Sequence, residues 1–120
     1  MSTRCRIGIE NKDGTITSIY CHYDGYPSYT GKILKENYSD EKILRELISY
    51  GDTSVIEPTL KLSKSTSYAE YGEDASIMES DLKKFIENKQ EYGYLFRNGK
   101  WFVDYGKGLE ELTDEIIENS

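Results

Sequence analysis

Apolar and polar residues alternate at both ends of the chain, and apolar residues recur at helical spacing between them. The segments "RCRIGIE" and "TITSIYCHY" flank "NKDG", which matches a type I turn closed by a glycine bulge at Gly14. With Glu10 opposite Thr15 and Ile9 opposite Ile16, alternation places Cys5, Ile7, Ile9, Ile16, Ser18, Tyr20 and His22 on one face. Arg4, Arg6, Gly8, Thr17, Ile19, Cys21 and Tyr23 then share the other, which keeps Cys5 and Cys21 apart. A second hairpin is expected in "EYGYLFRNGKWFVDY", because Asn98-Gly99 suits a two-residue turn. Phe96 then faces Trp101, Tyr94 faces Val103, and Tyr92 faces Tyr105. Leu95 and Phe102 make the reverse side apolar too, which predicts a central hairpin packed on both faces.

Between the hairpins the period changes. Tyr29 to Tyr38 has helical spacing with Ile33, Leu34 and Tyr38 on one side. Ser39 is the expected cap of a second helix carrying Ile43, Leu44, Leu47 and Ile48, which Gly51 ends. "SVIEPTLKLS" reads as an extended strand held to an edge by Pro58, and 63–79 as a flexible loop. Ser80 is placed to cap a helix with Leu82, Phe85 and Ile86 inward, and a last helix begins near Leu109. The order predicts a single α+β domain over 1–120: an antiparallel sheet of two β-hairpins with three to four helices packed on it.

Charge narrows the partners. The net charge of −7 repels nucleic acid polymers and anionic membranes, although a small anion needs only a few local donors. No apolar run reaches membrane-spanning length, and "MSTRCRIGIE" lacks the apolar core of a signal peptide, so a cytoplasmic protein is expected. Eleven tyrosines supply rings that pack on one side and hydrogen-bond on the other.

Catalytic and metal chemistry find little support. The lone His22 has Asp24 two residues on, but no serine- or cysteine-centred nucleophile motif accompanies them. One histidine and two cysteines on separate faces do not make a zinc site, and no phosphate-binding glycine motif is present. No catalytic residue, metal or cofactor is therefore expected. What remains suits binding: Arg4 and Arg6 beside Tyr23, Asp24 and Tyr26 at the strand's end, and Tyr94, Phe96, Arg97 and Trp101 on the second hairpin. Rings with nearby guanidinium groups can stack a base and grip phosphate.

The segments "MSTRCRIGIE", "DGTITSIYCHYDGYP" and "YGYLFRNGKWFV" together carry a resemblance. The chain resembles a group of small phage and prophage proteins that open "MSTRxxIGI" and continue to "IYCHxDGYP", identified with the first described Thoeris anti-defence proteins. The likeness covers most of the chain and is weakest over 55–79. It implies a sponge: a homo-oligomer that sequesters, without cleaving, the cyclic ADP-ribose isomer made by TIR-domain immunity proteins, in pockets between subunits. It does not carry contact residues across one by one, so the nine residues above rest on chemistry alone. Submicromolar capture would need more than ~8 kcal/mol, which favours an enclosed pocket. Two other readings stay open: an inhibitor binding a host protein through its acidic, tyrosine-rich surface, and a messenger hydrolase or lyase using His22 and Asp24.

Overall fold

The computed structural model describes residues 2–120. Its strands are β1 (Cys5–Glu10), β2 (Ile16–Cys21), β3 (Met78–Ser80), β4 (Tyr92–Arg97), β5 (Lys100–Asp104) and β6 (Glu110–Glu111), in the sheet order β3-β2-β1-β4-β5-β6. The helices are α1 (Lys32–Asn37), entered through a π turn at Pro27–Gly31, then α2 (Glu41–Ser49), α3 (Leu60–Ser65), α4 (Leu82–Asn88) and α5 (Asp114–Glu118). The fold is α+β, and the sheet is mostly antiparallel. No helix among the described residues is long and apolar enough to cross a membrane.

The first hairpin has the expected turn but a different register. Gly14 donates to the Asn11 carbonyl at 3.0 Å and Asn11 to the Thr15 carbonyl at 2.7 Å, so the bulge sets Asn11, not Glu10, against Thr15. The extra residue slides β2 by one position, and Glu10 faces Ile16 while Cys5 faces Cys21. A one-residue slip turns every β2 side chain to the other face. Cys5 and Cys21 are therefore opposite neighbours, both buried and both free thiols. Burial above all, and then Cys21, hold the Cys5 thiol well above its ordinary pKa.

The second hairpin pairs Phe96 with Trp101 and Tyr94 with Val103. Asn98 and Gly99 take φ values of 53° and 75°, the left-handed pair a two-residue turn requires. The pairing stops at Gly93 and Asp104, so the expected Tyr92–Tyr105 pair does not form. β4 lies between β1 and β5 and is packed on both faces. One face joins Ile7, Ile9, Ile19, Tyr94, Phe96 and Val103 to Leu34, Leu44, Leu47 and Leu112 in the main core. The other joins Leu95 to Ile16 and Phe85.

β4 runs parallel to β1, against the expectation of a wholly antiparallel sheet. The cause is β3, which pairs antiparallel with β2 and so points the same way as β1. Parallel strands need a crossover, and α4 supplies it, packing on β1, β2 and β3 with Phe85 over Gly8.

Helix caps differ by one residue from expectation. Asp40, not Ser39, accepts from the Lys42 and Ile43 amides, and Asp81, not Ser80, accepts from Lys84. Ser39 donates back to the Lys35 carbonyl and Ser80 belongs to β3. Ile43 and Leu82 stay exposed beside the buried Leu44 and Phe85. Gly51 does end α2, at φ 77° against Ala75. The expected strand at "SVIEPTLKLS" is instead an irregular segment and α3, capped by Thr59. The stretch 63–79, expected as a loop, holds the end of α3, a short helical turn at Tyr68–Tyr71 and the start of β3. The last helix begins after Thr113, because Glu110–Glu111 extends the sheet.

Candidate functional site

The corrected register regroups the side chains at one end of the sheet. Arg6 stands opposite Tyr20 and next to Gly93 of β4, on the face that α4 only partly covers. Arg4, Arg6, Tyr20 and His22 thus share a face, while Tyr23 leaves it. Tyr20 and His22 are joined by a 2.7 Å hydrogen bond between the hydroxyl and Nδ1. Lys89 follows α4 and lays its stem over Gly93, where an added Cβ would come within 3.0 Å.

The two arginines are held differently. Arg4 bonds Glu91 twice, through its backbone amide at 3.0 Å and its Nη2 at 3.2 Å. That hydrogen bond raises the Arg4 pKa. Burial pushes the Glu91 carboxyl up, but its backbone bonds and Arg4 outweigh this and leave it below its ordinary value. Arg6 is half-buried and makes no ion pair among the described residues; its Nη1 donates to Ser18 Oγ at 3.0 Å. Its Nε–H is buried without a partner. Burial lowers its pKa, opposed by the charge of Asp52, whose Oδ1 accepts from the Tyr20 amide at 2.8 Å. A desolvated guanidinium with an open donor is costly to keep unless something else supplies the negative charge.

The motif "YDGYP" forms a rigid corner at the same end. Asp24 takes φ 58°, and Gly25 is pressed so closely on Cys5 and Thr3 that no Cβ fits. Thr30 Oγ1 donates to the Asp24 carbonyl at 2.7 Å, and the Tyr94 hydroxyl donates to the Gly25 carbonyl at 2.7 Å. The Tyr26 hydroxyl reaches Asp24 Oδ1 at 3.4 Å, and the charge of Asp24 raises the Tyr26 pKa. Asp24 and His22, expected as a possible acid–base pair, are each engaged elsewhere. Tyr23 is exposed with its ring edge-on to His22 at 4.4 Å.

The remaining expected positions divide. Tyr94, Phe96 and Trp101 are 0%, 5% and 3% exposed, so their rings fill the core and offer no face to a small molecule. Arg97 projects from the opposite side of β4 and lies 5.2 Å over the Phe102 ring. Arg4 and Arg6 therefore share their sheet face with Tyr20 and His22, and Tyr23 meets that group through its contact with the His22 ring. Sequence reasoning also missed Tyr68, whose pKa is raised by burial and then by Tyr20 and Asp52. Counting the bulge residue in "NKDG" would have found Tyr20 and His22; Tyr68 and Lys89 depend on tertiary packing. No group of three or more His, Cys, Asp or Glu side chains placed to hold a metal ion occurs among the described residues.

No protein-family model matches the chain, no curated protein matches its sequence, and no solved structure matches its fold.

Proposed function

We propose that the chain binds and sequesters a cyclic ADP-ribose isomer, the messenger of TIR-domain immunity, without cleaving it, in the cytoplasm of an infected or lysogenic bacterium. The observation that carries this reading is Arg6, half-buried, with no ion pair and no partner for its Nε–H among the described residues, in a chain whose net charge is −7. A pyrophosphate supplies the missing charge and accepts from a guanidinium in a fork. Arg4 and Lys89 border the same position, and Tyr20, His22 and Tyr68 provide rings against which a base can lie. The resemblance of "MSTRCRIGIE" and "IYCHYDGYP" to the anti-defence group points to the same ligand.

The sheet face gives one wall of such a site, and a second copy of the chain gives the other, which makes the working form a homo-oligomer. Mixing the protein with messenger, removing unbound material, then heating and weighing what is released tests the reading. A sponge returns intact ligand. Recovery of a cleavage product would make the protein an enzyme, and failure to retain any isomer would leave the inhibitor of a host protein as the better account.

A further inference from the structure

The chain's one histidine is held by a clamped backbone. Where β2 ends, the segment 52–54 runs beside it. Thr53 N–H donates to the Tyr20 carbonyl at 2.9 Å, His22 N–H to the Thr53 carbonyl at 3.1 Å, and Tyr23 N–H to the Ser54 carbonyl at 2.7 Å. The Tyr20 amide donates to Asp52 Oδ1 at 2.8 Å. The imidazole is then confined from two directions. The Tyr20 hydroxyl lies 2.7 Å from Nδ1, and the Tyr23 ring stands nearly perpendicular to it, at 82° and 4.4 Å between centres.

The direction of the Tyr20–His22 bond decides which ring nitrogen carries the imidazole proton. Tyr20 is the cross-strand partner of Arg6, and Arg4 lies two residues before Arg6 on the same side of the sheet. Burial raises the Tyr20 pKa and the charge of Arg4 opposes it, so the hydroxyl keeps its proton at neutral pH with a cation beside its oxygen. A guanidinium donates and never accepts. The lone pairs of the hydroxyl therefore face Arg4, and its hydrogen points to Nδ1. With Nδ1 accepting, the proton of the neutral ring sits on Nε2. His22 is half-buried, and Nδ1 makes its only side-chain hydrogen bond among the described residues. Its Nε2–H is thus a donor turned away from Tyr20, one side chain removed from the Arg6 guanidinium.

We propose that His22 donates from Nε2 to a phosphate oxygen of the nucleotide held at Arg6, with Tyr20 as the positioning residue that keeps the proton there. The proposal rests on the nucleotide-binding reading of Arg6. A phosphate oxygen accepts several donors at once, and a donor with a fixed direction adds geometry to the charge of the arginines.

The tautomer is read first, in the ligand-free protein, by proton–nitrogen correlation across the imidazole at about pH 8. A single histidine gives one set of signals. The parent should carry its proton on Nε2, and Tyr20→Phe should show a mixture of the two tautomers. A proton on Nδ1 in the parent would overturn the proposal without touching the Arg6 reading. Equilibrium binding of cyclic ADP-ribose isomers then separates a donor from a stacking ring. His22→Gln, whose amide nitrogen reaches the place of Nε2, should stay within about threefold of the parent. His22→Phe keeps a ring and removes the donor, and should bind about tenfold or more weakly. Tyr20→Phe should lose roughly threefold. Parent-like affinity in His22→Phe, or equal loss in His22→Gln and His22→Phe, would overturn the donor and leave Arg6 as the anchor. No binding of any isomer by the parent would overturn both.

Discussion

Arg6 on β1 donates across to Ser18 on β2 at 3.0 Å, and this is the only side-chain hydrogen bond the guanidinium makes among the described residues. Ser18 is fully buried, so the bond draws the charged group partway under the surface, where it makes no ion pair among the described residues and Asp52 acts on it only through its charge. Replacement of a desolvated charge by an apolar side chain is often neutral or stabilising, so Arg6→Met should leave stability unchanged or raise it by ~1 kcal/mol. Urea unfolding measures this, and a large loss of stability would mark Arg6 as structural.

Asp24 carries a backbone strain that its side chain tolerates. At φ 58° Asn and Gly are acceptable and a β-branched residue is not. Asp24→Asn should fold with a thermal midpoint close to the parent's, whereas Asp24→Val should lose roughly 1–3 kcal/mol. If Asp24→Asn and Asp24→Val melt alike, the corner is not governed by this torsion.

Gly8 lies where α4 crosses closely over the sheet. A Cβ there would lie 2.8 Å from Phe85 Cε1 and 2.9 Å from Ile16 Cγ2. Gly8→Ala should therefore destabilise by about 1–3 kcal/mol through overpacking. The further truncation Gly8→Ala/Phe85→Leu, which gives the methyl room, should recover part of it in the same denaturant assay.

Tyr29 sets an alkaline limit. Its hydroxyl donates to the Ile56 carbonyl at 3.1 Å, and burial, followed by Glu57, raises its pKa from 10.0 to about 12. The folded state holds this proton more tightly than the unfolded chain does. Its stabilisation is complete below the unfolded pKa of about 10 and disappears as the pH climbs through about 12. Tyr50 is raised to about 12 in the same direction, chiefly by burial. Tyr29→Phe should be less stable at neutral pH but show a shallower loss across this window, read from urea midpoints. A decline parallel to the parent's would contradict the assignment.

The second hairpin could be read from sequence because Asn98-Gly99 admits essentially one tight turn, and the register follows from it. The first could not be read to the same depth. Its turn was legible in "NKDG", but the bulge adds one residue to β2, and with period-two strands one residue exchanges the faces. That exchange hid the Cys5–Cys21 pair and grouped Tyr23, instead of Tyr20 and His22, with Arg4 and Arg6. β3 has only Met78, Glu79 and Ser80, too few for a periodic signal, yet it determines that β4 runs parallel to β1. Tyr94, Phe96 and Trp101 look like ligand rings until their burial is known, since the same residues suit a core and a binding site.

Equilibrium binding of cyclic ADP-ribose isomers to the parent protein and to Arg6→Gln decides whether Arg6 grips the messenger's pyrophosphate. The parent should bind one isomer with submicromolar Kd, and Arg6→Gln, folded and with an unchanged thermal midpoint, should lose about a hundredfold in affinity, near 3 kcal/mol. Equal affinity in the two proteins, or no binding of any isomer by the parent, would mean that Arg6 holds no such messenger.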